Sequence, residues 1–377
     1  MNRNLRVCLV SSYPPSRARL SEYGYQLVRE LDTVKEIDDI FVLANRNSPR
    51  IEKVGERTTV LRTWKSDNPF SFFSLIFKML KLRPDVVHFN VHFFSMGNLR
   101  ITNFIALWLI PILRILGFRV VTTFHHFGSN NLDLEEFGIR KSLFNQLGLI
   151  LSNFLVTRSD MVVSHIKDLR NKPKNVVYVP HGSPGGKGDC NAFDCNSAVL
   201  FFGVLGPYKG VEYLIEAFKR IGDPSLKLVI TNSPHPRFLG YSRRLRRMAN
   251  GNGNIVFVDY VPEAELPSFF SQGDVVVFPY TSCVGTSGAF HTAAGFGKAT
   301  VMADLPVFRE LIEQGAGGLV FPPRDVEALV GCLRRLLSNP SLIKKIEDKN
   351  LRFARSRTWN EVARRYFEVY TRCLKKA

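Results

Sequence analysis

Three motifs that define large classes of nucleotide-binding proteins are missing from this sequence of 377 residues. A Walker loop is excluded because neither Gly186-Lys187 nor Gly297-Lys298 is followed by Ser or Thr. No G-x-G-x-x-G closes the first predicted strand, which argues against a dinucleotide-dependent oxidoreductase. The sequence also has no D-x-D, so it gives no support to a metal–diphosphate site of that type, and we expect no metal and no cofactor.

Long hydrophobic runs and clustered cysteines are also scarce. Two stretches, Pro69–Leu82 and Ile101–Phe118, are more apolar than a soluble helix needs, but the second holds only ten uninterrupted apolar residues. A membrane-spanning helix needs about 20. Each stretch is therefore either a core helix or a surface helix that dips into lipid. The six cysteines are scattered and offer no zinc site.

Acidic residues are few, with 33 Asp and Glu against 51 Lys and Arg, which gives a net charge of +18. The surplus is spread over both halves of the chain, and this favours an anionic ligand or membrane surface over a basic tail. Nucleic acid is not expected as a partner, because no basic stripe with interleaved aromatic residues is present. Without a signal peptide ahead of the first strand, we expect a cytoplasmic protein, peripheral at most on the membrane.

Short apolar strands alternate with helical stretches along the whole chain. This pattern predicts parallel sheets with helices on both faces. Because the chain exceeds what one core usually serves, we expect two Rossmann-like, doubly wound α/β domains that face a cleft. The expected boundaries are 1–182 and 198–358 for the two domains, 183–197 for a Gly- and Asn-rich linker, and 359–377 for a helix that packs back toward the first domain.

One stretch, Asp274–Pro306, predicts a strand, a turn-rich loop, a helix and a second strand. In open α/β sheets, ligands bind at the loops that follow the strands. Thr286, Ser287 and Gly288 can leave backbone N–H groups directed at an anion where the helix begins. The residues therefore favour a phosphate-facing loop, with an ordinary strand–helix connection as the alternative.

A second candidate motif lies in Phe201–Phe218, where a strand ends at Gly203 and a Gly/Pro turn carries Lys209. A lysine beside a helix N-terminus can meet a diphosphate, although a surface lysine in a turn is the alternative. The pair His125-His126 ends another predicted strand and is a candidate for catalysis or ligand binding. His181 also ends a strand, but a single histidine at such a position is more often structural.

Taken together and in order, these segments resemble GT-B glycosyltransferases of family 4, which take a sugar from a nucleotide-sugar with retention. The segments that carry the resemblance are YPP, RPDVVHF, VVTTFH, VPHG, FGVLGPYKGVEYLIEAF, VDYVPEAELPSFFSQGDVVVFPY, GFGKATV, FRELIE and GGLVFPPRDVEAL. The resemblance implies an N-terminal acceptor-binding domain and a C-terminal domain for the nucleotide-sugar. The implied reaction moves a hexose from a GDP- or UDP-linked donor to a membrane-proximal, lipid-linked glycan in glycan biosynthesis.

The resemblance also implies roles for particular residues. Lys209 is expected to bind the donor diphosphate, and His125 to contact the donor sugar as the catalytic residue. The remaining donor contacts are expected at Gly203, Gly206, Thr286, Ser287, Gly288, His291, Thr292 and Glu310. Ser16, Arg17 and Arg19, in the loop after the first strand, are expected on the acceptor side.

The sequence departs from the family pattern at three places. The two family glutamates spaced eight apart fall at Val284 and Thr292. The arginine that accompanies the lysine falls at Val204 or Gly206, and the glycine pair after the first strand reads Ala18-Arg19. Two interpretations remain open. The chain belongs to a subgroup that lacks the paired glutamates, or it is a non-catalytic GT-B partner subunit of a glycosyltransferase complex.

Overall fold

The computed structural model describes residues 5–16, 20–46, 51–92, 95–97, 99–125, 143–167, 169, 172–184, 198–235 and 238–375. These residues form two compact units. The first holds the residues up to Pro180 together with those from Trp359 onward, and the second holds His181–Thr358. Each unit is built on a parallel sheet, so the predicted α/β architecture with two parallel-sheet domains is confirmed. Of the expected linker at 183–197, only Ser183 and Pro184 are among the described residues.

The helices and strands follow one another in the alternation that the sequence predicts. The first half contains β1 (Leu5–Val10), α1 (Ser21–Leu31), β2 (Ile37–Asn45), β3 (Ile51–Lys53), β4 (Thr58–Trp64), α2 (Ser71–Leu82), β5 (Val86–Val91), α3 (Arg100–Ile115), β6 (Arg119–Phe124), α4 (Leu143–Val156), β7 (Met161–Ser164) and β8 (Val176–Tyr178). The second half contains β9 (Ala198–Phe201), β10 (Val204–Leu205), α5 (Val211–Ile221), β11 (Lys227–Thr231), β12 (Ser233–Pro234), α6 (Leu239–Ala249), β13 (Ile255–Val258), α7 (Leu266–Phe270), β14 (Val275–Phe278), α8 (Gly288–Gly295), β15 (Ala299–Ala303), α9 (Pro306–Glu313), β16 (Leu319–Phe321), α10 (Val326–Leu337), α11 (Pro340–Arg355) and α12 (Trp359–Lys375).

The sheet of the first unit has the strand order β3-β4-β2-β1-β5-β6-β7-β8, in which only β3 is antiparallel to its neighbour. From β1 the chain runs outward to β2 and β4, and it then returns to β5 on the other side of β1. The loops that follow β1 and β5 therefore diverge from a topological switch point, the usual position of a ligand site in such sheets.

Helix α12 belongs to the first unit, where it packs against α1 and β6. A buried chain of hydrogen bonds fixes it there. The Tyr366 hydroxyl lies 2.9 Å from the Tyr23 hydroxyl and 2.7 Å from Thr123 Oγ1. His88 then connects Thr123 Oγ1, at 2.7 Å from Nε2, to the Tyr370 hydroxyl, at 2.8 Å from Nδ1. Burial lowers the pKa of His88 to about 3, so its ring is neutral at pH 7.

Helices α2, α3 and α4 lie side by side, with α3 packed against both of the others. Val121 and Thr123 of β6 face α1 and α12, and side chains alternate along a strand, so α3 packs against β6 from the opposite face of the sheet. Helix α2 buries Leu75 and Met79 but leaves Phe73 and Phe77 about two-thirds exposed. The core alternative for these two phenylalanines is therefore wrong. In the described part of the chain, no helix has the length and apolar character needed to cross a membrane.

The sheet of the second unit has the order β13-β11-β9-β14-β15-β16, and every pair is parallel. From β9 the chain runs outward to β11 and β13 and then returns to β14 on the other side of β9. The switch point of this sheet therefore lies between β9 and β14. The loop with the Gly/Pro turn follows β9, and the loop with Thr286 and Ser287 follows β14, so the topology brings the two predicted anion-binding loops together.

Candidate functional site

The Gly/Pro turn after β9 is in close backbone contact with the residues that follow β14. Gly203 and Gly210 both have positive φ values, +144° and +61°, which favour glycine. A Cβ built on Gly210 would overlap the Pro279 carbonyl oxygen, so no side chain fits at this position. The Thr281 N–H donates to the Tyr208 carbonyl at 2.9 Å and ties the two loops together. The turn is therefore held by backbone contacts rather than by side chains that a ligand would displace.

Lys209 sits on this turn with its ammonium over two aromatic rings. Its Nζ lies 3.6 Å from the ring centroid of Tyr280 and 5.1 Å from that of Tyr208. Tyr280 is fully buried, and its hydroxyl lies 3.3 Å from Ser287 Oγ. Burial raises the pKa of Tyr280, and the positive charge of Lys209 partly opposes that rise. One buried tyrosine thus joins the lysine to the start of α8.

Helix α8 begins with a serine N-cap directly after the loop that follows β14. Ser287 is its N-cap, and Ser287 Oγ accepts from the Phe290 N–H at 3.4 Å. The first N–H groups of any α-helix have no partner within the helix, and the helix dipole makes that end positive. A Cβ built on Gly203 would lie 3.8 Å from Ala289 Cβ, so the loop after β9 faces the first turn of α8. Lys209, Ser287 and Gly288, proposed separately from the sequence, therefore lie in one region.

His181 lies against the first turn of α8, and the sequence had not placed it in the site. Its ring stacks on His291, with centroids 4.7 Å apart and planes at 12°. A Cβ built on Gly288 would lie 3.3 Å from His181 Nε2. His181 Nδ1 donates to the Gly182 carbonyl at 2.8 Å, and burial lowers the pKa of His181 to about 4. The ring is therefore neutral at pH 7, with the proton on Nδ1.

The hydroxyls of Thr286 and Thr292 are engaged locally. Thr286 Oγ1 lies 3.0 Å from His291 Nε2, which fixes the ring that stacks on His181. Thr292 Oγ1 donates to the Gly288 carbonyl of its own helix at 3.1 Å, and Val284 is buried. Val284 and Thr292, which stand where the resemblance implies glutamates, therefore offer a ligand no carboxylate acceptor.

Glu310, on α9, is held through a chain of side chains that begins at a buried arginine. The Arg357 guanidinium stacks on the Phe353 ring at 3.5 Å and donates through Nη1 to Gln314 Oε1 at 3.0 Å. Gln314 Nε2 donates to Glu310 Oε1 at 2.8 Å. The Phe353 ring also stacks on His291, at 5.7 Å. The orientation of Glu310 is thus linked to the packing around α8. Nothing in the sequence around Arg357 or Gln314 had indicated this connection.

Gly206 has an extended backbone that any residue can adopt. A glycine is needed there because a side chain would clash with a neighbouring ring. Its φ is −150°. A Cβ built there would lie 2.6 Å from Cε1 of the Tyr208 ring. Gly206 therefore allows the Tyr208 ring to fold back over the turn.

His125 belongs to the first unit, at the carboxyl end of β6. Asn90 Nδ2 donates to Ser11 Oγ at 2.9 Å, and Asn90 Oδ1 accepts from His125 Nε2 at 2.7 Å. The His125 ring also contacts Tyr23 edge-on and His165, with centroids 4.6 and 5.0 Å away. These contacts fix the tautomer and the plane of the imidazole beside the carboxyl ends of β5 and β6.

The predicted acceptor-side residues are only partly described. The Ser16 N–H donates to the Tyr13 carbonyl at 3.2 Å, in the turn after β1. Arg17 and Arg19 lie outside the described residues, as does His126.

The second unit carries a match to a known protein family. Residues 196–339 match the family described as glycosyl transferases group 1. A stretch of 179 residues is 26% identical to a protein of Methanocaldococcus jannaschii described as an uncharacterized glycosyltransferase. That stretch spans 47% of this chain and 45% of the relative, so less than half of the relative's length is matched.

Solved structures resemble the chain over nearly its whole length. The sucrose-phosphate synthase from Thermosynechococcus elongatus has a TM-score of 0.76 at 16% identity and covers 98% of this chain and 99% of its own. Anabaena HepE in complex with UDP and glucose has a TM-score of 0.70 at 14% identity, covering 98% and 100%. The trehalose-6-phosphate synthase OtsA has a TM-score of 0.72 at 11% identity, covering 97% and 99%. These likenesses show that the chain has the GT-B fold.

Proposed function

We propose that this chain, a GT-B protein with a glycosyl transferase group 1 domain, is a retaining glycosyltransferase that moves a hexose from a nucleotide-sugar to an acceptor. The family match and the fold indicate a glycosyltransferase. One observation supports the donor site above all others. Lys209 and the N-terminus of α8 meet around Tyr280 at the switch point of the second sheet.

The ligand that suits this site is a diphosphate. The Lys209 ammonium offers a full positive charge, and the first turn of α8 offers backbone donors with the positive end of the helix dipole. Anabaena HepE has been solved with UDP and with UDP-glucose, which supports a UDP-linked donor for this chain, with a GDP-linked donor as the alternative. Gly203, Gly206, Thr286, His291, Thr292 and Glu310 complete the proposed donor contacts.

The proposed reaction requires no carboxylate nucleophile and no metal. The acceptor hydroxyl oxygen bonds to the anomeric carbon as the bond from that carbon to the phosphate oxygen breaks. The hydroxyl proton passes to the departing phosphate on the same face of the sugar, so the configuration is retained. Lys209 stabilises the negative charge that grows on the diphosphate. His125, held in one orientation by Asn90, is the proposed contact to the donor sugar.

For the acceptor we propose a membrane-proximal, lipid-linked glycan on the cytoplasmic side, with Ser16, Arg17 and Arg19 near it. The exposed apolar side chains of α2 and α3 support an acceptor held at a membrane, because a large exposed apolar surface marks an interaction site.

A screen of UDP- and GDP-linked hexoses by thermal unfolding tests the donor proposal. A ligand that binds only the folded chain raises the melting temperature according to its affinity and concentration. The ligand that stabilises the wild type should fail to stabilise Lys209→Ala. With that ligand and an acceptor, the wild type should also release free nucleotide. A protein that no nucleotide-sugar stabilises, and that releases no nucleotide, contradicts the proposal.

The second candidate is a non-catalytic GT-B partner subunit. It is favoured by the two missing glutamates, since Val284 is buried and the Thr292 hydroxyl bonds to its own helix. Thermal stabilisation by a nucleotide-sugar without nucleotide release, even with membranes as a source of acceptor, would support this candidate instead.

A further inference from the structure

Large apolar side chains are exposed on one part of the first unit far more than elsewhere. Of the nineteen exposed large hydrophobic side chains among the described residues, fourteen lie between Phe70 and Phe154, on or next to α2, α3 and α4. The three helices are adjacent, since α3 packs against both α2 and α4. We call the exposed apolar side chains of these helices the three-helix face.

The three-helix face is separate from the apolar side chains that these helices bury in the core of the first unit. Each helix already buries a separate set of apolar side chains, such as Met79 of α2, Leu113 of α3 and Leu155 of α4, which are at most 3% exposed. A helix that packs on a sheet normally shows polar residues on its outer side. Here the outer side is also apolar, with Phe73 at 71% and Ile150 at 62% exposure. A second apolar surface of this kind marks an interaction site.

The charges on these helices are of one sign. Helices α2, α3 and α4 contain no Asp or Glu, whereas α2 carries Lys78 and Lys81. Lys81 is exposed beside the apolar side chains of its helix. Apolar side chains flanked by basic ones suit the boundary between acyl chains and anionic headgroups.

The end of α4 shows this combination at the level of single atoms. The Arg158 guanidinium carbon lies 3.9 Å from the ring centroid of Phe154, which is itself half exposed. In this pair an apolar ring and a charged guanidinium are exposed to solvent side by side. Such a pair suits the headgroup layer, where the ring meets acyl chains and the guanidinium meets phosphates.

We propose that the three-helix face docks the protein on an anionic lipid bilayer, with α4 as part of the surface. The apolar side chains enter the headgroup and upper acyl region, and the lysines of α2 contact lipid phosphates. The proposal concerns the surface that meets the membrane and goes beyond sugar transfer. Because lipid binding is measured without any nucleotide-sugar, its failure would leave the donor site untouched.

Flotation of the full chain with vesicles tests the proposal. We expect binding to vesicles of phosphatidylcholine and phosphatidylglycerol that weakens as salt rises, and weaker binding to phosphatidylcholine alone. Phe73→Ser with Phe77→Ser, and Ile150→Ser with Phe154→Ser, should each lower the partition coefficient about tenfold or more. Lys78→Glu with Lys81→Glu should lower it by a similar factor on the anionic vesicles only.

Matched controls come from exposed residues of the second unit. Leu239 is 63% exposed, and Arg334 and Arg335 lie on the exposed side of α10. Leu239→Ser, and Arg334→Glu with Arg335→Glu, should leave binding at the wild-type level. Thermal unfolding of every variant shows whether the fold is kept.

Three results would overturn the proposal. The wild type does not float with anionic vesicles at low salt, or the Phe73→Ser with Phe77→Ser variant floats as well as the wild type. In the third, light scattering finds a dimer of the wild type that Phe73→Ser with Phe77→Ser converts to monomers. The three-helix face would then be a contact between two copies of the chain.

Discussion

The ammonium of Lys209 lies 3.6 Å from the centre of the Tyr280 ring, and the hydroxyl of that ring lies 3.3 Å from Ser287 Oγ. A cation over the face of an aromatic ring is attracted by the ring quadrupole, which restrains the position of the lysine. Tyr280 therefore connects the lysine to the N-cap of α8.

Lys209→Ala should weaken donor binding and turnover together, by about 2–4 kcal/mol, because an ammonium next to a diphosphate in a water-poor site makes a strong charge-assisted contact. Steady-state kinetics and calorimetric titration with the donor measure both effects. Lys219→Ala is the matched control, since Lys219 is an exposed lysine on α5 whose Nζ donates to a backbone carbonyl. Unchanged kinetics in Lys209→Ala would show that the lysine is an ordinary surface residue.

Gly288→Val should abolish donor binding and leave the fold intact. Even one added carbon would lie 3.3 Å from His181 Nε2, and the larger side chain would fill the space in front of the α8 N-terminus. Gly331→Val on α10 is the control, because a Cβ there meets nothing within 4 Å. If calorimetry finds normal donor binding in a folded Gly288→Val protein, the α8 N-terminus does not bind the donor.

His125→Asn should lower kcat at least about tenfold while donor affinity stays near the wild-type value, because the proposed diphosphate contacts come from other residues. Turnover assays and calorimetry on one preparation separate the two quantities. A loss of donor affinity with kcat unchanged would instead assign His125 to ground-state binding of the donor.

His88 should make the free energy of unfolding depend on pH. Its pKa is about 3 in the folded chain and about 6.5 in an unfolded one, so the unfolded state binds more protons between these values. The stability due to the neutral ring is therefore present above about pH 6.5 and is lost as the pH falls toward 3. The difference is at most about 5 kcal/mol.

Urea unfolding of the wild type and of His88→Gln at several pH values measures this effect. The variant should be less stable at pH 7, because it loses hydrogen bonds to Tyr370 and Thr123, and its stability should fall less steeply below pH 6. Parallel curves for the two proteins would mean that folding does not change the pKa of His88.

Turnover should be unchanged after treatment with EDTA, because no step of the proposed reaction uses a metal. Activity is measured before and after chelation and after addition of Mg²⁺ or Mn²⁺. A loss on chelation that Mn²⁺ restores would show that the diphosphate charge is balanced by a metal as well as by Lys209.

The architecture and the positions of the two loops proposed to bind an anion could be predicted from the sequence, because both depend on local patterns. Strands and helices have their own periods, and glycines such as Gly210 mark turns that only glycine can adopt. The place of His181 could not be predicted, since its contact with His291 joins residues far apart in the chain. The exposure of Phe73 could not be predicted either. A helix that is apolar on two sides does not reveal which side packs on the sheet.

Helix α12 completes the first unit, although in the sequence it comes after all the residues of the second unit. During translation, the strands that carry His88 and Thr123 leave the ribosome long before Tyr366 and Tyr370 exist to form hydrogen bonds with them. Since domains generally fold as units during synthesis, the second unit can fold while the first still exposes its α12-binding groove. A nascent chain arrested before Trp359 should therefore recruit chaperones to its first half, and nucleotide affinity should be acquired earlier in synthesis than full protease resistance.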